Sequence, residues 1–446
     1  MGQRGKILTE ILGVRGWKVI EVFYEDKDGK RLMVIPGYAP GATGQLVMSV
    51  ERTWAPRCSQ CGAICPRAAH EKLNARRWRD LPWAGRPVMI EASLIRVTCR
   101  RCQSAPVEMT AWAEPRQRQT YRLQQQLALE AASMPVMHVA ALHALSWRTV
   151  RHAEGAALAR WNATRTAPPL EMAGLDEKYL GRRHTLDHAY VTIVSNLATG
   201  EPLWIGPHRR EATVRAWLAT LKPEQKAAIK VVAMDMHRPF ANAIVGDPEM
   251  RHVAIVHDPF HITKRVGEAV SEVRKEAFFR AGPEKRAIGR GTRWLVLRAW
   301  ERSTPAQQGE LRYLLAQNRT LARAYQLKEE LRELLHAPNG DTLAIGLRHI
   351  LRRTQRHDCK PLRALHDSLV SHWDAIVALA EHRPPVGRVE ALNNNWETLV
   401  RRARGYRDHD YLLLKLRFMI ANPIREPKDV IRFQALGLPA PQRAAA

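Results

Sequence analysis

Asp176 in Gly174-Leu-Asp-Glu-Lys and Asp235 closing Val231-Val-Ala-Met-Asp sit on short strand-like runs. Two such strands side by side can bring their carboxylates to shared magnesium ions, which activate a water or a 3′-hydroxyl and stabilise the leaving oxygen at phosphorus. A third carboxylate must then arrive from elsewhere. The run from about Arg388 to Arg404, stopped by Gly405, predicts a helix that can supply it. At about 100° per residue, Val389, Leu392, Trp396, Leu399, Val400 and Ala403 share an apolar face, and Glu390, Asn394, Glu397 and Arg401 form a polar stripe beside it. Helical geometry leaves both Glu390 and Glu397 open as the third ligand. Taken singly, each acid also has an ordinary reading as a surface or capping carboxylate; the weight lies in the combination.

Four of the six cysteines form two knuckles, Cys58-x-x-Cys61 and Cys99-x-x-Cys102. Four thiolates so paired can surround one zinc ion tetrahedrally, a closed structural site. The 37 residues between Cys61 and Cys99 exceed the usual ribbon spacing, but Val88–Val97 can return as a strand and bring the second knuckle beside the first. Cys65 and His70 lie near enough in the chain to replace a ligand. The bland alternative is a set of buried, inert thiols.

The elements that must position these groups follow from composition and pattern. Lys and Arg number 70 against 44 Asp and Glu, a formal net charge of +26, with a pI near 10.4. That balance favours a polyanionic partner. No apolar run approaches the roughly 18 residues of a membrane-spanning helix, and no signal-peptide core opens the chain. The expectation is a cytoplasmic, nucleoid-associated protein without a membrane partner. His138 to His152 has the form of a helix-turn-helix, with Ser146 as N-cap of a second helix carrying Arg148 and Arg151 toward a major groove. Lys264, six residues after Asp258, suits a phosphate contact, with His261 beside it. Arg401, Arg402, Arg404 and Arg407 gather around Tyr406, as phosphate contacts beside a stacking aromatic would. Most of the 13 tryptophans are assigned to cores and some to distorted DNA ends.

At 446 residues the chain should hold several domains. Residues 1–112 read as a β and zinc-binding module, opening with a hairpin turned at Asp28-Gly29 between Val19–Tyr24 and Arg31–Ile35. Residues 113–167 read as the helix-turn-helix region. From 168 to 269 strand candidates (Met172–Leu175, His188–Leu197, Glu201–Pro207, Ile229–Asp235, Val253–Asp258) are followed by helical runs, an α/β pattern. Residues 270–385 read as an all-helical insertion, 386–425 as final helices returning the third acid, and 426–446 as a tail.

Gly174-Leu-Asp-Glu, Val232-Ala-Met-Asp-Met-x-x-Pro-Phe, Asp258-Pro-Phe-His-x-x-Lys and Glu390-Ala-Leu-Asn-Asn with Arg402-Ala-x-Gly-Tyr-Arg together resemble the transposases of the ISL-three group of bacterial insertion sequences. The cysteine pairs and Arg79-Asp-Leu-Pro-x-x-Gly resemble that family's amino-terminal zinc segment, so the likeness runs from about residue 10 to 422. It implies a multidomain α/β protein with a ribonuclease H-like DDE catalytic domain interrupted by a helical insertion. It also implies a triad of Asp176, Asp235 and Glu390 holding two Mg2+ (or Mn2+) ions, and one structural Zn2+ on Cys58, Cys61, Cys99 and Cys102. The function implied is cleavage and transfer of DNA strands at the element's terminal inverted repeats, on target DNA, by a homodimer or larger synaptic complex. Where family members often carry Gly after the Glu and Lys after the paired Asn, this chain has Ala391 and Asn395; neither change removes a metal ligand. Two other classes share these features: a site-specific nuclease or resolvase of the same fold, which would cut without joining, and a zinc-dependent DNA-binding regulator, which would bind without cutting.

Overall fold

Alternation of apolar and polar residues builds the first sheet. In strand β5 (Arg86–Ile95) Val88, Ile90, Ala92 and Leu94 are buried and their neighbours are not, the period-2 signature of a sheet with one face in a core. The computed structural model describes residues 9–10, 12–32, 44–65, 72–180, 189–355, 359–403 and 406–423. Its described part forms two units, the chain up to Thr166 with Leu399–Tyr406, and Ala167–Thr398 with Arg407–Ala421.

In the first unit, β1 (Trp17–Asp26), β2 (Arg31–Leu32), β3 (Gly44–Arg52), β4 (Lys72–Trp83) and β5 are ordered β2-β1-β3-β5-β4. The β1–β2 hairpin turns at Asp28-Gly29 as the spacing predicts. Gly29 has φ of 77°, and the Asp26 carboxylate accepts from the Asp28 and Lys30 N–H groups at 3.0 and 2.8 Å. One face is sealed by tryptophans, with Trp17 and Trp78 standing edge-on to Trp112 at 5.0 and 5.4 Å. Fully buried Asp80 accepts from Thr120 Oγ1 at 2.7 Å and from Arg122 Nε at 2.6 Å, tying the sheet to the start of helix α1.

Helices α1 (Tyr121–Ser133), α2 (Val136–Leu142) and α3 (Trp147–Thr164) enclose a small core of Leu123, Leu127, Val139, Val150 and Ala153. Ala144, at φ of 49°, makes the turn. Ser146 Oγ accepts from Thr149 N at 3.1 Å and starts α3.

The second unit is built on β6 (Met172–Tyr179), β7 (Tyr190–Asn196), β8 (Pro202–Pro207), β9 (Val231–Met234) and β10 (Ala254–His257), ordered β10-β9-β6-β7-β8. β6, β7 and β8 form an antiparallel meander, while β9 runs parallel to β6 and β10 parallel to β9. Helices α4 (Glu211–Leu218), α5 (Pro223–Ala228) and α6 (Arg238–Val245) interleave with the strands. Trp217, Phe240 and Ile244 cover one face, against Leu175, Val232 and Met234. Helix α7 (Pro259–Arg274) leads into an all-helical stretch of α8 (Pro283–Gly289), α9 (Arg293–Leu297), α10 (Pro305–Ala316), α11 (Arg319–Leu334), α12 (Gly340–Gln355), α13 (Lys360–Ser371) and α14 (Trp373–His382). Its leucine core, including Leu321, Leu331, Leu347 and Leu365, is continuous with Val231 and Val256 of the sheet. Helices α15 (Gly387–Ala403) and α16 (His409–Ala421) follow.

No helix among the described residues is long and apolar enough to cross a membrane. Six of the 13 tryptophans (Trp17, Trp78, Trp112, Trp161, Trp217 and Trp396) are buried, and Trp54, Trp83, Trp147 and Trp294 are exposed. His70, Arg404 and the stretch 426–446 lie outside the described residues.

Candidate active site

Register decides which carboxylates meet. Leu175 of β6 pairs with Met234 of β9, and Met234 with His257 of β10. The next residues in each chain are Asp176, Asp235 and Asp258, so parallel pairing lines up three acids along one edge of the sheet. Helix α15 then lies close over β6. A Cβ on Gly174 would stand 2.8 Å from Leu197 Cδ2 and from Ser195 Oγ, and 3.1 Å from Val389 Cγ2 of the helix; the missing side chain makes room for that approach.

Asp176, Asp235, Asp258, His261, Lys264, Glu390 and Asn393 line one cavity of about 520 Å³. Asp176 Oδ1 accepts from the Glu177 N–H at 2.8 Å and Oδ2 from Asn393 Nδ2 at 2.6 Å. Asp235 Oδ1 accepts from the Met236 N–H at 2.6 Å and faces His261 Nδ1 at 3.1 Å. Asp258 accepts from Phe260 N at 2.8 Å, capping α7. Burial pushes the Asp258 carboxyl above its ordinary value, and the charges of Asp176 and Asp235 add to the rise. Behind the edge, buried His257 meets His372 through Nε2···Nδ1 at 2.9 Å. Burial first and His372 second hold its imidazole down at about 4, so it is neutral near pH 7.

Spacing along the helix leaves Glu390 and Glu397 open, and their surroundings differ. Glu390 is in the cavity lining. Glu397 lies 3.9 Å from Lys178 Nζ and outside that lining. Leu392, Trp396 and Leu399 of the expected apolar face are buried, but Ala403 is exposed. Asn393 belongs to the Glu390-Ala-Leu-Asn-Asn motif but not to the polar stripe that carries a role there, although it stands three residues from Glu390, a spacing that puts both on one side of a helix. Asp258 and Phe260 are likewise cavity residues that carry no role in the sequence motifs, the signal being their position directly after a buried strand.

The described residues hold one set of metal-type ligands whose donor atoms all lie within 4.8 Å of one another: Cys58, Cys61, Cys99 and Cys102. The acids share a cavity without closing to that distance. Cys61 and Cys99 Sγ stand 3.6 Å apart, close to the ~3.8 Å edge of a tetrahedron with Zn–S bonds of about 2.3 Å. Gln60 N–H and Cys102 N–H donate to Cys58 and Cys99 Sγ, each at 3.4 Å. The Cys102 N–H leads in holding the Cys99 thiol down at about 6, while the bond with Cys61 leads in pushing Cys102 up to about 12. Four cysteine sulfurs gathered this closely offer a tetrahedral donor set, and as thiolates they suit zinc. Cys65 is not one of the four. It is buried, its thiol donating to Ala63 O at 3.6 Å, and burial leads in raising its pKa.

The basic residues singled out by sequence are spread over several elements. Arg148 is exposed in the first turn of α3, and Arg151 half-buried one turn on. Lys264 is exposed in the cavity lining. Arg401, Arg402 and Arg407 are exposed. Tyr406, expected beside them as a stacking face, is half-buried, its hydroxyl pushed well up by burial and by Glu154.

Three family models match the chain in order. The zinc-finger of transposase IS204/IS1001/IS1096/IS1165 matches residues 54–102. The helix-turn-helix domain of transposase family ISL3 matches residues 108–152, and the ISL3 model described as a transposase matches residues 173–416. The chain is 30% identical over 415 residues to the transposase for insertion sequence element IS1001 of Bordetella parapertussis, covering 92% of this chain and 97% of that protein. It is 28% identical over 441 residues to the transposase for insertion sequence element IS1557 of Mycobacterium tuberculosis, covering 92% and 94%. With its zinc-type cysteines, helix-turn-helix and acidic α/β region in that order, the chain belongs to the ISL3 family of transposases.

Proposed function

We propose that this transposase binds the terminal inverted repeats of its own insertion sequence and cuts and joins DNA strands with Asp176, Asp235 and Glu390 as ligands of two Mg2+ or Mn2+ ions. The observation that carries the reading is the convergence of these three carboxylates, from β6, the end of β9 and α15, on one cavity. An antiparallel meander extended by two parallel strands supports the ribonuclease H-like catalytic fold that the family resemblance implies. Catalytic segments 168–269 and 386–425 would flank the helical insertion 270–385. The zinc module 1–112 and helix-turn-helix 113–167 would recognise the ends.

The residues present fit the ions. Asp235 Oδ2 and both Glu390 oxygens make no hydrogen bond among the described residues, and Asn393 Oδ1 is buried without a partner. Acceptors crowded beside acids suit a hard cation. When bound, the ions supply an activated water or 3′-hydroxyl and charge stabilisation at phosphorus. The Asn393 amide and the backbone N–H of Glu177 hold the Asp176 carboxylate, and His261 with the N–H of Met236 holds that of Asp235, so neither must reorganise during reaction. Lys264 places a positive charge at the cavity mouth for a phosphate. Because both ends must be held together, a homodimer or larger synaptic assembly is the working state.

The test uses the full chain with Mg2+ and linear DNA carrying the element's ends. Strand breaks at the ends together with joined products are expected. Breaks without joining, even from precut ends, point to a nuclease, and end binding with no breaks to a regulator. Recognition is tested through Arg148, exposed at the start of α3. Arg148→Ala should weaken end binding and lower the slope of log affinity against log salt by about 1, as measured by titration at several salt concentrations. An unchanged slope would remove Arg148 from the phosphate contacts.

A further inference from the structure

A second cavity, of about 830 Å³, opens between α7, α9 and α11 and adjoins the acidic cavity, the two sharing Phe260 and Lys264 in their linings. Its lining holds seven lysines and arginines against two glutamates, Glu268 and Glu272. Glu272 is paired with Lys275 at 2.5 Å, Lys328 with Glu329 at 2.7 Å and Arg332 with Glu329 at 3.0 Å. Lys264, Arg293, Arg298 and Arg302 make no ion pair among the described residues. Two aromatics in the lining are left to solvent. Trp294 is 67% exposed, the most of any tryptophan in the chain, and Phe260 is 66% exposed. The Arg293 guanidinium lies 5.4 Å from the Trp294 ring centre.

Large aromatic faces left exposed within a concave, basic lining need a partner that is both flat and anionic. Paired bases in duplex DNA offer groove edges and phosphates but keep their faces stacked. Unpaired nucleotides offer faces and phosphates together.

We propose that this groove binds unpaired nucleotides of a DNA strand leaving the acidic cavity, with Trp294 and Phe260 as stacking platforms and Lys264, Arg293 and Arg302 as phosphate contacts. The inference rests on the reading of the acidic cavity as the site where strands are cut, and it places a role in the helical insertion that neither the triad nor the helix-turn-helix supplies. Specificity there is for the state of the strand rather than its sequence, since every base has a stacking face.

The experiment needs no chemistry, so its failure is distinguishable from failure of the catalytic reading. Full-length protein is titrated with a duplex of the element's end carrying a short single-stranded arm with 2-aminopurine, and with the same duplex fully paired. The arm should raise affinity about tenfold and its fluorescence should be quenched on binding. Trp294→Ala should abolish both effects while leaving affinity for the fully paired duplex unchanged, and Trp294→Phe should restore most of the quenching. Phe260→Ala should weaken the preference in the same direction. Wild-type protein with no preference for the arm overturns the proposal and leaves end binding standing, as does a preference and quench that survive both alanine variants. Trp294 is exposed enough that its loss should leave the melting temperature in place, which a thermal scan checks.

Discussion

Asp176→Asn, Asp235→Asn and Glu390→Gln are each expected to lower DNA cleavage and joining by about a thousandfold or more, while end binding changes by less than about twofold. Each substitution keeps the side chain's size and removes the charge that holds a divalent cation. End binding is assigned to other residues, in the helix-turn-helix and basic surfaces, so the two measurements separate chemistry from recognition. Glu397→Gln is the control on the same helix. Its carboxylate is 57% exposed and stands 3.9 Å from Lys178, at the outer limit of an ion pair, and it lies outside the cavity lining; cleavage should be nearly unchanged. If Glu390→Gln still cuts while Glu397→Gln does not, the third ligand has been assigned to the wrong turn of the helix. Unimpaired cleavage by Asp176→Asn and Asp235→Asn would remove the metal-assisted mechanism altogether.

The second large effect concerns the cysteine centre. Purified protein should carry about one zinc per chain, and Cys99→Ser should lose it, since a serine hydroxyl does not replace a thiolate on zinc. Structural zinc contributes about 10–16 kcal/mol of apparent binding energy in zinc-finger peptides, comparable with the whole stability of a domain. The first unit should therefore melt at least about 10 °C lower in Cys99→Ser, or after chelation, and bind the element's ends less well. Cys65→Ser should keep its zinc, because Cys65 stands outside the four-sulfur cluster and bonds to Ala63 O instead. Metal analysis and a thermal scan of both variants decide the matter. Full zinc in Cys99→Ser, or loss in Cys65→Ser, would redraw the ligand set.

Most elements are legible in the amino-acid sequence alone. The strand candidates from Met172 to Asp258 correspond to β6 to β10 with ends moved by a few residues, and the Ser146 cap and the Asp28-Gly29 turn are where local chemistry places them. These are short-range effects: a hydroxyl that accepts from an N–H three residues on, a glycine that tolerates positive φ, an alternation that buries one face. The partners of the side chains were less legible. Asn393 and Asp176 are 217 residues apart and meet at 2.6 Å, and nothing local to either residue announces that bond. Tyr406 illustrates the reverse case. Its basic neighbours in sequence suggest a stacking face, yet the ring is half-buried, and Glu154 and Arg151 of α3 act on its hydroxyl together with Arg402.

By itself the sequence determined the polyanion-seeking charge, the two cysteine knuckles, the order of strands and helices, and the family motifs, because each depends on residue type and short spacing. The tertiary structure decided which groups share a space. Parallel pairing of β9 with β6 and of β10 with β9 set Asp176, Asp235 and Asp258 on one edge. The bare Cα of Gly174 let α15 bring Glu390 and Asn393 over it. Packing of the helical stretch against α7 left Trp294 and Phe260 facing solvent in a basic cavity that adjoins the acidic one at Phe260 and Lys264. Register and close approach are properties of chain segments far apart in sequence, and they are set by which apolar faces must be buried together.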